Sequence, residues 1–108
     1  VLVPFPFSDL SHAKLRPAVV LADSGRGDWV LCQVTSNPYG DAHVIQIDDD
    51  SFDSGSLRAT SYARVGKLFT ANQNLMVSQV ATLNFNCFKT IIEATIDVLR
   101  TGLATSVQ

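Results

Sequence analysis

The chain is poor in the features that mark several common classes. Among its 108 residues there are two cysteines, Cys32 and Cys87. That is too few for a disulfide scaffold, and the expectation is two reduced thiols in a cytoplasmic protein. No apolar run approaches the roughly 18 residues that a membrane helix needs. The opening VLVPFPF has neither a basic start nor a long apolar stretch, so no signal peptide is expected there. Six glycines and four prolines exclude collagen-like and low-complexity classes. The two histidines, His12 and His43, are scattered relative to the cysteines and lack zinc-ligand spacing, so no metal is expected. The short GRG of Gly25–Gly27 reads as a turn and not as a phosphate-cradling loop, and no Gly-x-Ser-x-Gly nucleophile motif occurs. What remains is a chain with 46% hydrophobic and 17% charged residues, able to bury one core as a single domain over residues 1–108.

The net charge is −2, which argues mildly against a nucleic-acid partner. Its distribution is uneven. Residues 1–53 carry −5 and residues 54–108 carry +3, and from Ser54 to Ile92 there is no acid at all. Arg58, Arg64, Lys67 and Lys89 stand alone in that stretch, so a basic surface on an acidic protein is expected.

Most of the chain has the composition of short strands. Residues 1–5, 16–22, 29–36, 43–47, 61–71 and 75–83 are β-branched or apolar runs bounded by turn chemistry, of which DSGRGD at 23–28 is the strongest. Residues 8–15 read as a loop. Towards the end the period changes. Phe85, Phe88, Ile92, Ile96, Leu99 and Leu103 recur at three- and four-residue steps opposite Lys89, Glu93, Asp97 and Arg100. That spacing predicts an amphipathic helix, capped by Asn84 or Asn86 and ended by Gly102. The expected architecture is mainly β: a small barrel or strongly curved antiparallel sheet with a C-terminal α-helix.

Register can be argued for the hairpin around DSGRGD. With Ala22 opposite Trp29, Val20 faces Leu31, Ala18 faces Gln33 and Arg16 faces Thr35. Val19, Leu21, Val30, Cys32 and Val34 then form a uniformly apolar face, the expected core. A slip of one residue would turn those valines outward. Directly opposed residues have Cβ atoms about 4.5–5.5 Å apart, so a guanidinium and a hydroxyl are expected side by side at a strand end.

The stretches VLVPFPFSDL, LRPAVVLA, VLCQVTS and YARVGKLFT, in this order over nearly the whole chain, resemble the MazF/PemK family of toxin endoribonucleases, its PemK-like branch in particular. The most specific part is RPAVVL followed, after a turn, by a strand ending in Thr-Ser. The resemblance implies an SH3-like β barrel with a helix, a homodimer, and metal-independent, cofactor-free cleavage of single-stranded RNA. It also implies a cognate antitoxin that neutralises the enzyme. The family's catalytic arginine falls on Arg16, and its catalytic threonine or serine on Thr35. In the segment matching Arg64–Thr70, Gly66 and Phe69 stand where many members have an Asp and an Arg.

The chemistry suits those residues. RNA carries its own nucleophile, the 2′-OH, which an enzyme must orient and deprotonate while it stabilises the phosphorane. A guanidinium such as Arg16 grips two phosphoryl oxygens and stays charged. Thr35 can hydrogen-bond the phosphate or the 2′-OH, with Ser36 a weaker candidate on the opposite face. His12, in the loop before Arg16, is a candidate acid, base or RNA contact. Lys14, Arg58, Arg64 and Lys67 can hold the RNA backbone, and Phe5, Phe7 and Tyr62 can stack bases, with core packing the favoured role for Phe5. His43 and the acidic turn Asp48-Asp49-Asp50 carry no assigned role. The alternatives are a non-catalytic SH3-like module binding nucleic acid or protein, and a toxin of similar fold aimed at another target.

Overall fold

The computed structural model describes residues 2–8, 13–38, 40–76 and 79–104. Five strands form one antiparallel sheet: β1 (Leu2–Ser8), β2 (Ala13–Gly25), β3 (Asp28–Thr35), β6 (Ser61–Asn72) and β4 (Val44–Ile47), in that spatial order. Two short strands, β5 (Phe52–Ser54) and β7 (Thr82–Leu83), pair separately. The helix α1 (Phe85–Ala104) follows. The architecture is therefore the expected curved antiparallel sheet with a C-terminal helix. The hydrogen-bond ladder does not run continuously round a closed barrel. A bridge in which the Leu2 N–H donates to the Ala81 carbonyl at 2.9 Å and the Val80 N–H to the Leu2 carbonyl at 2.8 Å ties the two sheets together.

The strand boundaries shift from the expectation: β5 was not expected, and β2 runs on to Gly25, into the stretch read as a turn. β1 and β2 form a hairpin paired as far as Ser8↔Ala13, so residues 13–15 belong to a strand and not to a loop. Residues 75–83 are mostly not a strand. Gln73–Leu75 is a 3-10 turn with Asn72 as its cap, and among the described residues of this stretch only Thr82 and Leu83 enter a sheet. Leu75 and Val80 are exposed, so alternation there does not reflect burial of one face. Gly55 is required by this second junction. Its φ is +73°, and a Cβ at that position would lie 2.6 Å from the Val80 carbonyl oxygen.

Between β2 and β3 the tight turn is Arg26-Gly27, both with positive φ (58° and 80°), the geometry that matches the twist of a two-residue hairpin. The expected register holds at Val20↔Leu31 and Ala18↔Gln33. Nearer the turn an irregularity at Leu21 displaces it, so Val30 faces Ala22 and Trp29 faces Asp23. The pairing of Ala22 with Trp29 is corrected by that bulge.

The core face is as expected for Val19, Cys32 and Val34, which pack with Leu2, Ile47, Ala63, Val65, Leu83 and Ile91, while Leu21 packs against their edge. The opposite face is not simply solvated. Val3, Ala18, Leu31 and Ala71 make a second buried cluster flanked by Val20, Trp29, Phe69 and Met76. Phe69, opposite Leu31, is held there by apolar packing.

The helix is apolar around more of its circumference than the sheet covers. Ile91 and Thr95 are buried, and Cys87, Phe88, Ala94 and Val98 pack against the core. Of the stripe expected to be buried, Phe85, Ile96, Leu99 and Leu103 are exposed, at 73%, 40%, 63% and 87%. Asn84 is the cap: its side-chain oxygen accepts the Cys87 N–H at 2.8 Å, and its amide donates to the Asp50 carbonyl at 2.7 Å. Gly102 does not end the helix, which continues to Ala104.

Candidate functional site

Alternation along antiparallel strands puts opposed residues on one face and their second neighbours on the same face. Ala18, Gln33, Arg64 and Val44 form one such cross-strand row. Two residues along, about 7 Å away, Thr35, Tyr62 and Gln46 form the next. Arg16 is two residues from Ala18 and so shares that face. These polar rows continue the side of the sheet that carries the second apolar cluster. One face is thus greasy towards the hairpin tip and polar towards its base.

Arg16 is exposed and is placed by β1, where it pairs with Phe5. The β2–β3 ladder ends at Ala18↔Gln33, so the expected pairing of Arg16 with Thr35 is not part of it, and the two residues share a face without being directly paired. Pro17 comes next and has no N–H to donate. Thr35 ends β3 and is half-buried. Its hydroxyl donates to the Asn37 carbonyl and accepts the Asn37 N–H, both at 3.1 Å. That local turn fixes the hydroxyl's position. Ser36 is exposed just beyond it, and Arg58 is exposed in the bend before β6. Lys14 pairs with Phe7 in the β1–β2 ladder. Its side chain, and the whole of His12, lie outside the described residues.

A pronounced irregularity lies in β6. Cys32 pairs with Leu68, but the next residue of β3, Gln33, pairs with Arg64. Val65, Gly66 and Lys67 have no partner on β3. At this break Gly40, Asp41, His43, Arg64, Gly66 and Lys67 line an open cleft of about 270 Å³. Arg64 and Lys67 were singled out from the sequence, and the structure brings them together. Asp41 and His43 were not.

Asp41 braces this cleft. One carboxylate oxygen accepts the Arg64 Nε–H at 2.8 Å, and the other accepts the His43 backbone N–H at 2.9 Å. The Arg64 side chain is 29% exposed and that of Asp41 13%. These hydrogen bonds, the one to Arg64 first, hold the Asp41 carboxyl below the usual carboxylate range. The short Asp41-Ala42-His43 spacing was a visible signal for the backbone cap. The contact with Arg64, across 23 residues, had no local signal.

Two other clefts lie between β4 and α1. One, of about 330 Å³, is lined by Asp48, Asp50, Asn84 and Cys87 among others, and one of about 250 Å³ is lined by Val44, Ile45, Ala94 and Val98 among others. Neither contains a residue that the sequence assigned to catalysis or RNA binding. Among the described residues no group of three or more His, Cys, Asp and Glu side chains gathers as a metal centre would require.

No protein-family model and no curated protein sequence matches the chain. Solved structures do. The toxin MazF-mt6 of Mycobacterium tuberculosis superposes with a TM-score of 0.64 at 17% identity, over 89% of this chain and 95% of that one. MazE–MazF of Deinococcus radiodurans gives 0.69 at 18% identity, over 91% and 90%. A structure described as an Mtb toxin gives 0.67 at 14% identity, over 90% and 98%. The fold of this chain is therefore MazF-like along nearly its whole length.

Proposed function

We propose that the protein is a metal-independent endoribonuclease of the toxin type, cutting single-stranded RNA by attack of the 2′-OH on the adjacent phosphate. The observation that carries this reading is the polar face of the sheet, where Arg16, Thr35, Tyr62 and Arg64 share one side on a MazF-like fold. In this reading Arg16 stabilises the charge that develops on the phosphorane, and Thr35, fixed by its turn to Asn37, orients the phosphate or the 2′-OH. A preorganised donor such as the Arg16 guanidinium contributes about 2.7–4 kcal/mol to a transition state. His12, Lys14, Ser36, Arg58, Arg64 and Lys67 hold the RNA, and no metal or other cofactor takes part. The likeness to a MazE–MazF complex supports a cognate antitoxin, whose disordered acidic and apolar segment would occupy the same face. The enzyme acts in the cytoplasm as a homodimer.

A second reading, an RNA- or protein-binding module without cleavage, is favoured by one observation. The one O–H donor of the Thr35 hydroxyl is given to the Asn37 carbonyl, and one of its lone pairs takes the Asn37 N–H. One experiment separates the two. Mixed-sequence RNA incubated with the protein in EDTA gives fragments ending in 2′,3′-cyclic phosphate on the first reading and stays intact on the second. Arg16→Ala abolishes the cleavage while circular dichroism and melting remain those of the parent. A variant that still cuts at the parental rate removes Arg16 from the mechanism.

A further inference from the structure

The cleft at the β6 break is the feature that the reading above leaves least explained. It sits beside the Thr35–Tyr62 row, it is open to solvent, and it carries Arg64, Lys67 and His43 with a single carboxylate. That carboxylate does not neutralise the cleft evenly. It takes Nε of Arg64, one of the five N–H donors of a guanidinium, and fixes the plane of the group. Its other oxygen anchors the backbone of His43 at the entry to β4. Gly66 keeps the floor low: a Cβ there would meet only the Cβ of His43, at 3.9 Å, so the absence of a side chain is space and not steric necessity.

We propose that Asp41 is a positioning residue, holding Arg64 so that Arg64, Lys67 and His43 together receive a phosphate of the RNA chain next to the one being cut. The inference rests on the endoribonuclease reading for the identity of the ligand, and on the cleft's own geometry for the subsite. A carboxylate that only solubilised the loop would have no reason to bridge two elements separated by 23 residues. One that filled the cleft as a mimic of substrate would compete with the anion and not orient its receptor. The bond through Nε, away from the two terminal nitrogens, distinguishes the arrangement from a bidentate pair that consumes the guanidinium fork. Binding energy at a phosphate remote from the reacting bond is present in ground state and transition state alike, so it shows in KM and not in kcat.

The test uses the full chain, a mixed-sequence RNA for cleavage, and a 2′-O-methyl oligonucleotide of the same sequence, which has no nucleophile, for binding. Asp41→Ala raises KM and the oligonucleotide Kd by about threefold or more, with kcat near the parent's and the circular dichroism of a folded protein. Asp41→Asn, which keeps one acceptor oxygen and so can serve His43 or Arg64 but not both, falls between. Lys67→Ala weakens binding and lowers the salt slope by about one. Parental KM and Kd in Asp41→Ala overturn the subsite while leaving the cleavage reading intact. A parent protein that binds the oligonucleotide with the stated dependence on Asp41 and Lys67 but leaves RNA whole keeps the subsite and overturns cleavage. A parent that neither binds nor cuts overturns both.

Discussion

At the scale of single residues, the two thiols show how one residue type acquires different chemistry from its place. Cys32 is sealed on the core face of β3, and burial pushes its thiol up to about 12 despite a backbone hydrogen bond from Val19 that acts the other way. Cys87 lies half-buried at the start of α1. Partial burial raises its pKa too, against a hydrogen bond from Ser51 and with the help of the Asp48 charge. The thiolate is the reactive form, so a raised pKa means slow alkylation. At pH 8 a maleimide or iodoacetamide should label Cys87 slowly and leave Cys32 untouched until the protein unfolds, which peptide mass spectrometry will read directly. Equal labelling of the two in the folded protein would contradict the burial of Cys32. The sequence treats both as buried thiols. The alternation of β3 was enough to bury Cys32, whereas the exposure of Cys87 depends on which arc of the helix meets the sheet. Asp41 belongs to the same lesson. Its cap on His43 is local and readable, but its bond to Arg64 exists only after the strands are assembled.

At the scale of elements, the three- and four-residue spacing was sufficient for α1 and its start. Asn84 closes the first turn through the Cys87 N–H. Asn84→Ala should therefore cost about 1 kcal/mol, seen as a lower urea midpoint with an unchanged slope. What the spacing could not decide was orientation. The apolar residues span a wide arc, and packing chose the part through Cys87, Phe88, Ile91, Ala94 and Val98, leaving Phe85, Ile96, Leu99 and Leu103 outside. The hairpin of β2 and β3 was legible because a slipped register would bury polar groups on one side. The bulge at Leu21 was not, since apolar side chains on both faces near the turn remove that penalty. The break in β6 was equally hidden. Residues 61–71 have the composition of one strand, and the break shows only in the pairing with β3, which takes 62–64 and 68–72 and passes over 65–67.

At the scale of the whole molecule, an exposed row of four large apolar residues on a chain of 11.7 kDa is a surface that water disfavours. A two-fold pair would bury it against its own copy, since the same patch then serves both partners. Light scattering should give twice the chain mass for the parent and the single chain mass for Leu99→Glu, while the helical signal in circular dichroism persists. A parent of single mass at micromolar concentration would remove the homodimer from the proposal. The acid-free stretch from Ser54 to Ile92 supplies Arg64 and Lys67 to one cleft, although the protein as a whole is acidic. Net charge alone would have hidden that. The interruption at residues 65–67 has a consequence for how such a protein can diversify. Val65 is committed to the interior, but Gly66 and Lys67 face outward between two ladders that are each pinned by their own partners. Exchange of those two side chains alters the rim of the cleft and leaves every flanking pair in step, so ligand preference can drift there without the scaffold having to be relearned.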